Sequence, residues 1–318
     1  MNSRRFSRYV WGVLIYNLLV ILWGAYVRVS FSGDGCGAHW PICGNALLPT
    51  AVNAPKAIEF AHRVSTGVVI PLILAQLYFA FRLFPKGHGA RAGSVACFAF
   101  TFSEALIGAV LVLYKLVAHN PSVYRAMADS MHLVNTFLLI ASLTLTAWWS
   151  EGRPRLRLRD QGAVVPALGA LLIASLFVGV SGHIAALDDM LFPSDTLMAG
   201  LRADFSPTAS FLVHLRPLHP FLSVALGLYA ILLSRVIGRE RPELQSPRFA
   251  RYCVWLFVVQ IAAGFLNLFL NAPVWMQIVH LFLADLLWIN LILLSAAALG
   301  QSLSVPSVTP LGNEVPVS

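Results

Sequence analysis

Charge is what this sequence lacks. Asp, Glu, Lys and Arg make up 11% of its 318 residues, against 58% hydrophobic residues. A soluble globular chain carries about 25% charged residues. A chain with so few cannot cover a water-facing surface, so its solvent is lipid. No stretch between the apolar runs is long enough for a separate soluble domain. Acidic residues are the scarcer sign, 14 against 22 basic ones, which leaves a net charge of +8. A nucleic-acid partner is excluded all the same, because the basic residues recur in alternate loops instead of gathering on one domain. That pattern is topology information. The first apolar run lacks a small-residue cleavage site, and no Arg- and Ser-rich amphipathic leader precedes it. We therefore expect a retained first helix and a bacterial inner membrane.

What is present is a series of eight apolar runs, each near the ~20 residues that span a hydrocarbon core. They predict helices near 9–29, 60–82, 95–116, 129–149, 163–184, 217–236, 251–271 and 278–299. The N-terminus and the loops around Arg82–Arg91, Arg153–Arg159 and Arg235–Arg251 hold 15 of the 22 Lys and Arg residues. Basic loops stay in the cytoplasm. Both termini are then cytoplasmic, and loops 30–59, 117–128, 185–216 and 272–277 face outward.

The first four spans echo the last four. Gly24 and Arg28 match Gly179 and His183, His62 matches His219, Glu104 and Gly108 match Gln260 and Gly264, and His132 matches His280. The matches keep chain order and need one change of loop length, as a duplication would. The expected architecture is an all-α membrane protein of two tandem four-helix bundles, residues 1–150 and 151–318. An even number of helices per repeat relates the halves by a pseudo-two-fold axis along the membrane normal.

Four of the nine histidines stand at repeat-equivalent places. His62, His132, His219 and His280 each open a helix near the outer boundary of the lipid. An ionisable side chain within a span is costly and marks a functional partner. Two imidazoles at matching depth in a four-helix bundle can ligate one haem iron from both sides. His62 with His132 makes one site and His219 with His280 the second. Both sites lie toward the same membrane face, so these two haems alone form no electron wire across the bilayer. His39, His88 and His119 read as solvated loop residues, and His183 and His214 as surface residues within reach of a haem propionate.

The first outer loop holds Cys36 and Cys43, separated by six residues on the oxidising side. A disulfide is feasible there, either as a staple or as a strained redox pair. Two thiols do not make a zinc site, which takes four ligands. Cys97 and Cys253 fall within apolar helices and read as inert buried thiols. Glu59 precedes His62 by one helical turn and shares its face. A carboxylate beside a haem pocket suits proton transfer at the haem edge; the plainer alternative is a helix-start carboxylate complementing the macrodipole. The second copy has Arg216 at the matching place, so the halves differ there.

These residues resemble the haem A synthase (CtaA/Cox15) family. The resemblance rests on Gly24-x-x-Val27-Arg28, Ser32-Gly33, the Cys36–Cys43 loop around Trp40-Pro41, Glu59-x-x-His62-Arg63 opening the second span, and the Phe192-Pro193 loop. It implies an oxidoreductase that converts a methyl group of haem O into the formyl group of haem A for terminal oxidases. It also implies that His62 and His132 hold the substrate haem, that His219 and His280 hold a haem b cofactor with its iron, and that Glu59 is the catalytic carboxylate. Cys36 and Cys43 map to the family's loop pair, and Arg28 or Arg63 is placed to pair with a propionate. Haem O synthase and the cytochrome oxidase assembly machinery are the implied partners, beside membrane lipid; self-association is left open. Two features depart from the family: residues 185–216 hold no second cysteine pair, and Pro220 follows His219. Two other readings compete: a quinol-linked b-type cytochrome and a non-enzymatic haem-binding assembly factor. Only a haem A synthase makes a formyl-bearing haem.

Overall fold

A computed structural model describes residues 1–44, 53–242 and 245–300; residues 301–318, assigned above to the second half, lie outside them. Eight helices have the length and apolar composition of membrane spans. In chain order the helices are α1 (Ser3–Val29), α2 (Ala54–Leu83), α3 (Gly89–Leu113), α4 (Val123–Ser150), α5 (Val164–Leu191), α6 (Leu197–Asp204), α7 (Phe211–Leu215), α8 (Leu218–Glu240), α9 (Ser246–Phe269) and α10 (Val274–Ala298).

Several helices begin earlier than hydropathy predicts, because polar caps carry them beyond the apolar runs. Asn53 accepts a hydrogen bond from Lys56 N at the start of α2, and Pro55 stands in its first turn. Ser122 caps α4 in the same way. Side-chain oxygens at this position satisfy the otherwise unpaired first N–H groups. The predicted outer loop 185–216 is also largely helical. α5 runs on to Leu191, and α6 and α7 follow, capped by Thr196 and Ser210.

The spans pack as two closed rings, α1–α2–α3–α4 and α5–α8–α9–α10. The rings meet where α4 touches α10 and α5 and where α1 touches α10. α4 and α10 are accordingly the most enclosed spans, with 56% and 44% of their central windows buried. At their contact the Trp288 indole N–H donates to the Phe137 carbonyl at 2.7 Å, and the two rings stack with centroids 5.4 Å apart. Polar side chains also tie helices within a ring: Tyr9 and Tyr16 donate to the Leu72 and Ser65 carbonyls across α1 and α2. Such bonds and close backbone approach replace the hydrophobic effect, which gives helices no reason to associate in lipid.

α3 and α4 approach most closely at Gly93, where an added Cβ would collide with Thr146 Oγ1. Thr146 is fully buried and committed to the Ser142 carbonyl. Gly93→Ala is therefore expected to destabilise the fold by about 1–3 kcal/mol, the usual cost of overpacking, measured as a lowered unfolding temperature in detergent.

Candidate functional site

All four repeat-related histidines gather toward one end of the bundle. Each lies on the second or fourth span of its ring and rests on the neighbouring span. An added Cβ on Gly24 would stand 3.0 Å from His62 Cε1, one on Gly182 2.6 Å from His219 Cε1, and one on Gly264 3.1 Å from His280 Cε1. Glycine is needed at these three places because each imidazole lies flat against backbone. The glycine beneath His219 is Gly182; Gly179, its sequence match to Gly24, packs on Phe137 instead. The earlier helix starts also bury the first pair deeper. His62 and His132 stand about two turns inside α2 and α4, whereas His219 lies in the first turn of α8.

The His219 and His280 rings lie edge to face, with centroids 6.4 Å apart and planes at 88°. A metal–imidazole nitrogen bond is about 2 Å, so the two side chains are near enough to serve one metal centre. Ser181 Oγ lies 3.1 Å from His219 Nδ1, and Gln260 Nε2 lies 3.2 Å from His280 Nε2. In the other ring His62 and His132 hold the corresponding places. All four imidazoles are half-buried, and the Nδ1 atoms of His62 and His280 are buried without a hydrogen-bond partner among the described residues. Buried polar atoms are normally paired, so these orphans mark the pockets as built for something else. Among the described residues no group of three or more His, Cys, Asp or Glu side chains could hold a bare metal ion. A two-imidazole site suits a metal that brings its own equatorial ligands, as porphyrin iron does. The residues present therefore fit haem.

Glu59 is buried, 3% exposed, and anchors the first loop. It accepts from Cys36 N at 2.7 Å and from Arg63 Nε and Nη2 at 3.1 and 2.5 Å. Arg63 Nη1 in turn donates to the His39 and Ile42 carbonyls at 2.5 and 2.8 Å. Arg63 is thus committed to protein groups, and a propionate would have to compete with them. The sulfurs of Cys36 and Cys43 lie at bonding distance, 1.97 Å, and both cysteines are buried. Arg216, the second-half counterpart of Glu59, plays the same anchoring part with reversed charge. It pairs with Asp188 and Asp189 of α5 at 3.2 and 3.1 Å and with Asp204 of α6 at 2.5 Å.

Arg28 meets its sequence match. Its Nη1 lies 2.9 Å from His183 Nδ1, across the contact between the rings, while its Nε is buried and unpaired. His183 is therefore an inter-ring residue, with Asp129 Oδ2 3.7 Å away. His88 is a helix cap whose Nδ1 accepts from Ala90 N and whose ring stacks on Phe84; burial, then the nearby Arg155, lowers its pKa. His119 stacks on Phe31, and His214 bonds the Ser206 carbonyl. Cys97 and Cys253 are buried free thiols. The residue whose setting sequence reasoning missed is Glu104. It serves above only to mark the repeat, yet its Oε1 lies 3.1 Å from His132 Nδ1.

The cytochrome oxidase assembly protein family model, COX15-CtaA, matches residues 7–292. A heme A synthase of Exiguobacterium sibiricum is 24% identical over 88% of this chain and 91% of its own length. One from Symbiobacterium thermophilum is 38% identical over 40% of each chain. A protein of Thermus thermophilus named protoheme IX farnesyltransferase is 45% identical over 93% of this chain, which spans only 48% of that relative. With paired imidazoles in each ring and a family model that runs through all eight spans, the chain belongs to the COX15-CtaA family of cytochrome oxidase assembly proteins, several of whose relatives are heme A synthases.

Proposed function

We propose that this chain is a haem A synthase, an oxidoreductase that converts a methyl group of haem O into a formyl group. The observation that carries the reading is the close approach of His219 and His280 in the second ring, centroids 6.4 Å apart, with His62 and His132 at the repeat-equivalent places in the first. On this reading residues 1–150 and 151–318 are duplicated bundles about an axis along the membrane normal. The histidine end faces away from the cytoplasm, where the basic loops and both termini lie. His62 and His132 hold the substrate haem, and His219 and His280 hold haem b. When bound, haem b supplies one-electron transfer. The conversion replaces two of the methyl carbon's three hydrogens by one oxygen, a four-electron oxidation. A carboxylate near the substrate is needed for the protons, and Glu59, one turn from His62, is the residue so placed. The Cys36–Cys43 disulfide with Arg63 holds the loop over it.

The name of the Thermus relatives favours a second activity, farnesyl transfer to protohaem. Since this chain matches about half of them, we place that activity in the other half and take a haem O synthase as the partner that supplies substrate. One experiment separates the readings. The full chain is expressed in a host that makes haem O, and the extracted haems are chromatographed. A formyl-bearing haem absent from the control is the expected result. Haem O left unconverted would overturn the proposal, and farnesylated haem made in a host supplying only protohaem would favour the second reading.

A further inference from the structure

The two histidine pairs are repeat-related, but their surroundings are not alike. Around His132 the first ring builds a polar shell. Ser103 Oγ donates to Asn135 Oδ1 at 2.6 Å, and Asn135 Nδ2 donates to the Phe100 carbonyl at 2.9 Å and to Glu104 Oε2. Thr136 Oγ1 donates to Glu104 Oε1, and the same oxygen lies 3.1 Å from His132 Nδ1. Both Asn135 N–H groups are thereby used, so its amide orientation is fixed and it can only donate to Glu104. A side chain facing an amide N–H, a hydroxyl and an imidazole nitrogen is disposed as an acceptor. His132 remains 33% exposed, so the far side of its ring is free for a ligand.

The register that matches Glu104 with Gln260 and His132 with His280 puts Val259, Gln260, Leu283 and Ala284 where the first ring has Ser103, Glu104, Asn135 and Thr136. The shell is thus missing from the second ring: Gln260 approaches the other imidazole nitrogen, Nε2 of His280, and among the described residues no carboxylate stands at His280 Nδ1. Duplicated sites that keep their ligands but differ in the groups behind them differ in ligand strength. A metal-bound imidazole that gives its other N–H to a carboxylate is held in one tautomer and is a more basic donor. A more basic donor favours the higher oxidation state of the iron.

We propose that Glu104 is a positioning residue: it fixes His132 with Nδ1 protonated and Nε2 turned to the iron, and it gives the haem of the first ring a lower reduction potential than that of the second. The inference rests on the haem-binding reading above. On this arrangement electrons leaving the substrate site run downhill to haem b, which is the direction an oxidation needs.

The test uses the full chain in detergent, titrated with ferric protohaem and followed by optical redox titration. In Glu104→Gln, binding at the first site should weaken 10- to 100-fold, the usual effect of removing such a partner. One of the two redox waves should move to higher potential and the other should stay. A role for Glu104 confined to packing α3 on α4 would lower thermal stability and leave both waves in place, which would overturn the proposal. So would an equal shift of both waves in Glu104→Gln. Wild-type protein that takes up no protohaem would instead overturn the haem-binding reading itself, and this inference with it.

Discussion

Glu59→Gln is expected to reduce haem A formation by about two to four orders of magnitude, the usual contribution of a positioned acid–base group, while haem content stays at the wild-type level. Glu59 accepts from Cys36 N on Oε2 and from Arg63 on Oε1; glutamine keeps one of these oxygens, so part of the loop anchor survives. It loses the capacity to take up a proton. Glu59→Ala removes both functions. It strands a guanidinium whose side chain is 11% exposed, and breaking a buried pair costs about 3–5 kcal/mol. The low end applies, because Arg63 keeps the His39 and Ile42 carbonyls. The two variants therefore help separate chemistry from anchoring: both should lower activity, and Ala should lower the unfolding temperature more than Gln. A Gln variant that produces haem A at the wild-type rate would remove Glu59 from the reaction and leave it a loop anchor.

Gly182→Ala is expected to abolish haem binding at the second site. Its methyl group would stand 2.6 Å from His219 Cε1 and 3.0 Å from both ring nitrogens, and the imidazole cannot retreat without leaving its partner. Loss of that site should remove half of the extractable haem and, with it, the electron exit. Gly108→Ala is the matched control. Gly108 is the repeat counterpart of Gly264, but an added Cβ there meets nothing within 4 Å. Its haem content should be unchanged. Full occupancy of both sites in Gly182→Ala would mean that His219 does not ligate from the position seen here.

Much of the site was legible because lipid makes sequence patterns strict. A histidine inside an apolar span is conspicuous against its neighbours, and four in repeated order identify both pairs. Interactions that depend on facing surfaces were not legible. Arg63 sits beside His62 in sequence and reads as a propionate partner, but its guanidinium turns back to carbonyls of a loop more than twenty residues earlier. The ends of α2 and α4 were misplaced because hydropathy reports where lipid begins, whereas Asn53 and Ser122 decide where the helix begins. Residues 185–216 read as loop because α6 and α7 are too short to show an apolar period. Arg216 with Asp188, Asp189 and Asp204 draws that segment together.

The sequence by itself determined the eight spans, since composition and length along one chain set them; the duplication and the pairing of the four imidazoles are what it leads one to expect. Only the tertiary structure decided what stands behind each imidazole: Gly182 and not Gly179 under His219, and Glu104 and not a neutral amide beside His132. The physical reason is helical geometry. A shift of one turn leaves hydropathy unchanged but replaces the atoms that a ring on the next helix touches.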